Sequence, residues 1–471
     1  MITAVARAVS GSETWRAGGA AGVMIAARVV GAFGTLAYTV MLARILSPQE
    51  FGLVWTLWSG VFIAAYLSTL NIGATAIREV VRARASGNDA AAAGFVVISR
   101  RILFCACLPV MMAFVALIWV QNPEMAESHA LAVLLAAATI PVMGWNATNA
   151  AQAVALDQVV RSQVPGMLLR PLVFCVVLGG AWISQTPLTL ESVLGIYLSI
   201  VILIAFVQFT LLRQFFDFMI TARPDTSGWQ RWLATGLLLA PNRLLTDRLR
   251  DVLLLIAAIP LGAVGVAQMA VALSVVTFLS FAVNAVETSF APKISKAITR
   301  VLTSNTCAKK DADILQLIAM SGAFKIGLVA MGAAVLWLFM PLIIHLFGPE
   351  YAASTGAIWW LFLIPLASAV FGNTALVMQL FDKRRVFFLT SVIALLSLLL
   401  GGMFGVPKLV ASGTDALGAT AAGFALTMIA LQALRWALCW VITGLDMSAF
   451  GALWRWRRQL SDTQKEPGGN T

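Results

Sequence analysis

The chain has 471 residues, of which 60% are hydrophobic and only 11% are Asp, Glu, Lys or Arg, with a formal net charge of +11. The apolar residues fall in blocks of about twenty or more, the length that crosses a bilayer core, and whole blocks lack the polar stripe that a soluble helix carries. A soluble α/β protein is thereby excluded, and the composition specifies a polytopic helical membrane protein.

The N-terminal stretch "MITAVARAVSGSETWRAGG" has no apolar core followed by a small-residue cleavage site, so residues 1–17 are expected to remain as a cytoplasmic segment. Twelve spans follow, at about 18–43, 51–76, 102–120, 129–150, 164–183, 193–212, 233–258, 266–290, 314–340, 355–380, 386–406 and 416–441. They group into a first lobe over 18–212, a cytoplasmic linker over 213–232, a second lobe over 233–441 and a cytoplasmic tail over 442–471. In that tail, "ALWRWRRQL" interleaves Trp454 and Trp456 with Arg455, Arg457 and Arg458, the pattern of an interfacial helix held by indole rings and anionic lipid.

Basic residues resist translocation and mark the cytoplasmic side. The even connections carry Arg78, Arg82, Arg84, Arg100, Arg101, Arg161, Arg213, Arg223, Arg231, Lys293, Lys296, Arg300, Lys309, Lys310, Lys383, Arg384 and Arg385, whereas the odd ones hold only Arg44 and Lys408. Both termini are therefore expected in the cytoplasm. The positive charge is this asymmetry rather than a nucleic-acid patch, and no nucleic-acid partner is expected.

The stretch "ARILSPQEFG", residues 43–52, falls in the first outward turn, where Pro48 cannot continue a helix and Gly52 is expected to permit the tight re-entry. It lays over "AAIPLGAVGVAQMAVA", residues 257–272, with Gly52 on Gly265. Two copies at the exits of the first and seventh spans are what two six-helix halves in one orientation produce, related by an axis along the membrane normal.

Metal and hydrolytic chemistry find no support. Cys105, Cys107, Cys175, Cys307 and Cys439 form an odd set without metal spacing, and His129 and His345 stand alone at span ends. No P-loop pattern is present. No cofactor is expected.

The ionisable residues within spans carry the functional signal, because a charge at mid-bilayer costs about 2.5–3.5 kcal/mol and needs a partner, a wet cavity or a functional reason. Arg28 lies about two residues, ~3 Å, from the centre of the first span, and Lys325 lies as close to the centre of the ninth. Neither span contains an acid, and an unpaired cation facing water suits phosphate, which Arg holds bidentately. In the seventh span Arg243, Asp247 and Arg250 or Asp251 share one face, while Arg248 is expected to point about 100° away without such a partner. This cluster reads equally as a cationic cavity wall and as a salt-bridge network, and Asp247 and Asp251 are also candidates for a coupling cation. Arg78 and Lys293 are expected to end the second and eighth spans at the cytoplasmic mouth, where they either draw in an anionic head group or follow the positive-inside pattern alone. Arg170, between Pro165 and Pro171, and Glu287 are weaker candidates.

Five stretches in register, "LARILSPQEFGLVWTLWSGVFIAAYLSTLNIGATAIREVVRARA", "LDQVVRSQVPGMLLRPLVF", "DRLRDVLLLIAAIPLGAVGVAQMAVALSVVTFLSFAVNAVETSFAPKISKAI", "LFGPEYAAS" and "MQLFDKRR", resemble successive signatures of the oligosaccharide or polysaccharide flippases. These are O-antigen flippase-like members of the multidrug/oligosaccharidyl-lipid/polysaccharide exporter superfamily. The resemblance implies an all-α polytopic membrane protein with about twelve transmembrane helices in two six-helix lobes, related by a pseudo-two-fold along the membrane normal, with a central cationic cavity. It further implies alternating-access transfer of a polyprenyl-diphosphate-linked glycan from the cytoplasmic to the outer leaflet of a bacterial inner membrane, for lipopolysaccharide, capsule or exopolysaccharide biosynthesis. For such a substrate the in-span cations Arg28, Arg248, Arg250, Arg243 and Lys325 are the expected diphosphate contacts, although in this superfamily the ninth helix, which carries Lys325, is usually peripheral to the cavity. The partners are the lipid-linked glycan, membrane lipid, and a glycan polymerase and glycosyltransferases of the same pathway, and the protein is a transporting monomer rather than an enzyme. The driving force is the membrane potential or an ion gradient.

Three alternatives remain open. A multidrug antiporter of the same fold wants acids in its cavity, a membrane polymerase or glycosyltransferase wants a sizeable outward loop, and a purely structural protein leaves Arg28 without a reason.

Overall fold

The computed structural model describes residues 13–217, 222–303, 312–372, 374–381, 383–411 and 413–454. Cys307, Lys309, Lys310, most of the expected N-terminal segment and the Arg455–Arg458 cluster with Trp456 lie outside them. Among the described residues all regular structure is helical. Eleven helices are long and apolar enough to cross a membrane, but one of them, Leu249–Arg300, has 52 residues. If straight it would run about 78 Å, more than two bilayer cores.

That helix is two spans. Gly262 interrupts it with φ +64° and ψ −175°, a conformation that only glycine adopts without strain. Arg250 Nη2 donates to Ser274 Oγ at 2.8 Å. Twenty-four residues of straight helix would separate those groups by about 36 Å, so the chain reverses between them, midway at Gly262. The seventh span is thus Trp229–Asp247 together with 249–261, bent at Arg248, and the eighth is 263–303. Twelve spans result among the described residues.

The first hairpin turns by another device. Helix Glu13–Ile45 gives way to Pro48–Ser68, with Ser47 as N-cap and Pro48 in the first turn. Glu50 N donates to Ser47 Oγ at 3.3 Å and Ser47 N donates to Glu50 Oε2 at 3.2 Å, a reciprocal capping box. Gly52 is not in the turn, as expected from sequence, but buried within the second span. Arg44 lies in the last turn of the first helix, where a cation complements the helix dipole.

Other ends shift where polar residues continue helices past the apolar run. The third span is Asp89–Gln121, starting thirteen residues before the expected 102, and the ninth is Ala312–Phe347. The tenth breaks at Gly372, φ +71°, into Ser354–Phe371 and Thr374–Leu380. The eleventh runs from Arg384–Leu400 through a π-turn at Gly401–Gly405 to Val406–Ala411. The fourth, fifth, sixth and twelfth are Ala130–Ala155, Val159–Ile183, Leu190–Leu212 and Ala416–Thr443.

By packing, the chain divides into Met1–Ala240 and Pro241–Thr471. In the first unit the first and fifth spans approach closely. A Cβ on Gly31 would lie 2.6 Å from the Met167 carbonyl oxygen, and one on Gly34 would lie 2.8 Å from Pro171 Cβ. Trp58 anchors an aromatic core, with its ring 4.9 Å from Tyr197, 5.7 Å from Phe174 and 6.4 Å from Tyr38. The described part of the expected linker docks on this unit: Asp225 N donates to Ala90 O at 2.9 Å, and Arg231 Nη2 and Trp232 Nε1 both donate to Glu79, at 2.7 and 3.2 Å. In the second unit a core of Ile294, Ile298, Ile318, Val377, Met378, Phe387 and Cys439 joins the eighth to twelfth spans.

Candidate functional site

The cations within spans fall into two groups, according to whether a carboxylate meets them. In the second unit most are met. Lys325, only 1% exposed, donates to Glu287 Oε1 at 2.9 Å. It is therefore not the unpaired cation expected from the acid-free ninth span, because its partner comes from the eighth, 38 residues earlier. Arg243 pairs with Asp247 at 3.0 Å, one turn on. Arg248, expected without a partner, lies 3.7 Å from Asp251. The two are i, i+3, neighbours on a helix surface, a spacing that the expectation passed over. Arg250 is held by Ser274. The acids Asp247 and Asp251 are thus both engaged by arginines of their own span.

Sequence reading missed one residue of this unit, Arg435 on the twelfth span. It is 5% exposed, and its Nη2 donates to Ser391 Oγ at 2.6 Å and to Asn242 Oδ1 at 3.0 Å. Its Nε donates to Thr390 Oγ1 at 3.3 Å and its guanidinium lies 4.5 Å from the Phe387 ring centroid. The signal was available: a lone Arg in the apolar run "LQALRWALCW" meets the same criterion that singled out Arg28.

The first unit is arranged differently. Arg28 is exposed, near the middle of Glu13–Ile45, and among the described residues no carboxylate stands within 4.0 Å of it. Arg170, one residue from the centre of Val159–Ile183, likewise meets no carboxylate. Its guanidinium carbon lies 5.9 Å from the ring centroids of both Phe62 and Tyr197, and its Nε is buried without a hydrogen bond. The acids of this unit, Glu13, Glu50, Glu79, Asp89, Glu124, Glu127, Asp157, Glu191, Asp217 and Asp225, all sit in first turns or in connections, Glu13 being the first residue of the first helix. His129, expected to stand alone, bonds Glu191 at 2.8 Å between the starts of the fourth and sixth spans.

The two residues expected at the cytoplasmic mouth lie apart from the chemistry described above. Arg78 belongs to a separate short helix, Ala76–Ala85, ten residues past the end of the second span, and its Nε is 3.2 Å from Glu79. Lys293 is exposed inside the long eighth helix, 5.6 Å from the Phe290 ring centroid.

No family model and no curated relative matches the chain. Solved structures do. An inward-facing multidrug resistance MATE family transporter of the MOP superfamily superposes with TM-score 0.66 at 14% identity, covering 93% of this chain and 96% of its own. A MOP superfamily transporter from Pyrococcus furiosus, described as having a binding pocket of reverse polarity that suggests a different function, superposes with TM-score 0.63 at 15% identity over 90% of this chain and 94% of its own. The outward-facing form of a multidrug resistance MATE family transporter gives 0.59 at 14% identity, over 94% and 95%. The chain has the fold of these transporters: all-helical and two-lobed.

Proposed function

We propose that the chain is a transporter, not an enzyme, that moves an anionic lipid-linked oligosaccharide, a polyprenyl-diphosphate glycan, from the cytoplasmic to the outer leaflet by alternating access. One observation carries this reading: Arg28 stands at mid-span with no carboxylate within 4.0 Å among the described residues, in a unit whose acids all lie at span ends or in connections. A site built this way attracts a diphosphate and repels a cation. The inner membrane, cytoplasmic termini and glycosyltransferase or polymerase partners belong to the same proposal.

A lipid diphosphate with about two charges leaving a negative-inside cell gains about 4.6 kcal/mol per 100 mV, so the membrane potential suffices as driving force.

A second reading, a cation-coupled multidrug antiporter, is favoured by the fold, because two of the superposed structures are multidrug MATE transporters. Asp247 and Asp251 are the carboxylates it would use, yet each is bound by an arginine. The reverse pocket polarity described for the Pyrococcus furiosus structure supports the view that this fold does not dictate substrate charge.

Proteoliposomes separate the two readings. Wild type is expected to flip a fluorescent polyprenyl-diphosphate saccharide, faster under a potential that draws the anion across. Losing a charge-assisted hydrogen bond of about 1.5–3 kcal/mol should slow Arg28→Ala about 10- to 100-fold. Transport of a cationic dye with none of the saccharide would refute the proposal in favour of the antiporter, and an undiminished rate without a potential would refute the driving force.

A further inference from the structure

Arg170 has everything a ligand-contacting arginine needs except the ligand. Phe62 and Tyr197 reach its guanidinium from the second and sixth spans, holding the charge by cation–π attraction. Aromatic rings attract the charge but accept none of its planar fork of N–H bonds. The Nε donor is buried and unbonded, and no carboxylate neutralises the group among the described residues. An anion that accepts from the Nη groups of this fork compensates the charge that the rings leave unneutralised.

The register of the first and fifth spans relates Arg170 to Arg28. Along the first span, Ala27, Gly31, Gly34 and Tyr38 recur at i, i+4, i+7 and i+11 on one strip. Gly31 meets Met167, Gly34 meets Pro171 and the Cys175 thiol, and Tyr38 meets Phe174. Residue numbers rise together across these contacts, so the helices are parallel, with an offset of about 137 residues. Arg28 lies about 90° from its strip in the sense of increasing residue number, and Arg170 about 85° from its own in the opposite sense. On two parallel helices facing each other, those opposite senses lead to the same side of the pair. That is the side on which Phe62 and Tyr197 stand.

In height Arg28 is level with about residue 165, so the two arginines differ by about five to six residues, or ~8–9 Å. Two long side chains on one side of a helix pair, at that separation, converge on a single diphosphate.

We propose that Arg170 is the second phosphate contact of the transporter, forming with Arg28 a two-arginine clamp on one face of the first unit that selects a lipid diphosphate over a monophosphate. This rests on the reading of the substrate as a polyprenyl diphosphate.

The test is calorimetric titration of the purified full chain in detergent with farnesyl diphosphate, farnesyl monophosphate and farnesol. Wild type is expected to bind the diphosphate most tightly. Arg170→Gln should weaken the diphosphate about tenfold or more and the monophosphate by no more than about twofold, erasing the preference. Arg170→Lys, which keeps the charge but loses the fork, should fall between. Phe62→Leu leaves the arginine in place and should weaken the diphosphate a few-fold, so the clamp stays testable if Arg170→Gln does not fold. Wild-type affinity for the diphosphate in Arg170→Gln, with weakened binding in Arg28→Gln, would overturn the clamp and leave the substrate reading standing. Equal wild-type affinity for farnesol and both phosphates would overturn the substrate reading itself.

Discussion

The Lys325–Glu287 pair makes an asymmetric prediction. Lys325 is 1% exposed and Glu287 is 24% exposed, so the two ends of one ion pair stand in different surroundings. Glu287→Gln leaves an ammonium group buried beside a neutral amide, which costs about 3–5 kcal/mol for a buried charge stripped of its partner. Lys325→Met leaves a carboxylate that is only partly enclosed by protein and should cost less, about 1–2 kcal/mol. Replacing both, as Lys325→Met with Glu287→Leu, removes the charge and its counter-charge together and should return stability close to wild type. At about 2–4 °C per kcal/mol for a unit of 150–250 residues, Glu287→Gln should lower the unfolding midpoint by about 6–20 °C. Thermal unfolding in detergent, followed by tryptophan fluorescence, reads all three. A Glu287→Gln midpoint within about 2 °C of wild type, or a double variant as unstable as the sum of its singles, would refute the argument that the pair is structural.

Arg435→Met removes a buried guanidinium that bridges Asn242, Thr390 and Ser391. It should destabilise by about 2–4 kcal/mol, with Arg435→Gln doing no better, because a neutral amide cannot span three acceptors; the same unfolding assay checks it. Gly262→Val forces a β-branched residue to φ +64° and should cost about 1–3 kcal/mol although there is open space around it; a midpoint for Gly262→Val equal to wild type would refute the turn.

The helical class and the twelve-span count were legible because the length of an apolar run translates directly into a crossing of a fixed thickness. Span ends were not, because helices such as Asp89–Gln121 continue through Ala-rich, basic sequence that hydropathy scores as connection. The first turn was legible in a motif that went unread: Ser47 followed three residues later by Glu50 is a capping box, while Gly52 drew attention by residue type alone. The second turn used glycine as expected of hairpins, but at Gly262 rather than at the aligned Gly265. Among candidate site residues, the i, i+4 pair Arg243–Asp247 followed from helical spacing. Lys325–Glu287 did not, because no rule of local spacing links residues on different spans. Arg170 was visible as a charge between two prolines, yet the rings that hold it come from the second and sixth spans and belong to the tertiary fold.

The contrast between the two units bears on substrate charge. A cation inside a span costs about 2.5–3.5 kcal/mol, and the second unit offsets that cost for Lys325, Arg243 and Arg248 with Glu287, Asp247 and Asp251, and for Arg435 with hydrogen bonds to Asn242, Thr390 and Ser391. The first unit offers Arg28 and Arg170 no carboxylate among its described residues: Arg28 is exposed and Arg170 meets aromatic faces. A purely structural role leaves that cost uncompensated here, since among the described residues neither arginine has the neutral acceptors that hold Arg435. A cationic drug would add repulsion to it. An anionic head group reverses the sign: it draws on the unneutralised charge of both arginines at the depth where hydration is weakest and a charge-assisted hydrogen bond is strongest. The unneutralised charge of Arg28 and Arg170 thus supports the proposed anionic substrate over the cationic alternative.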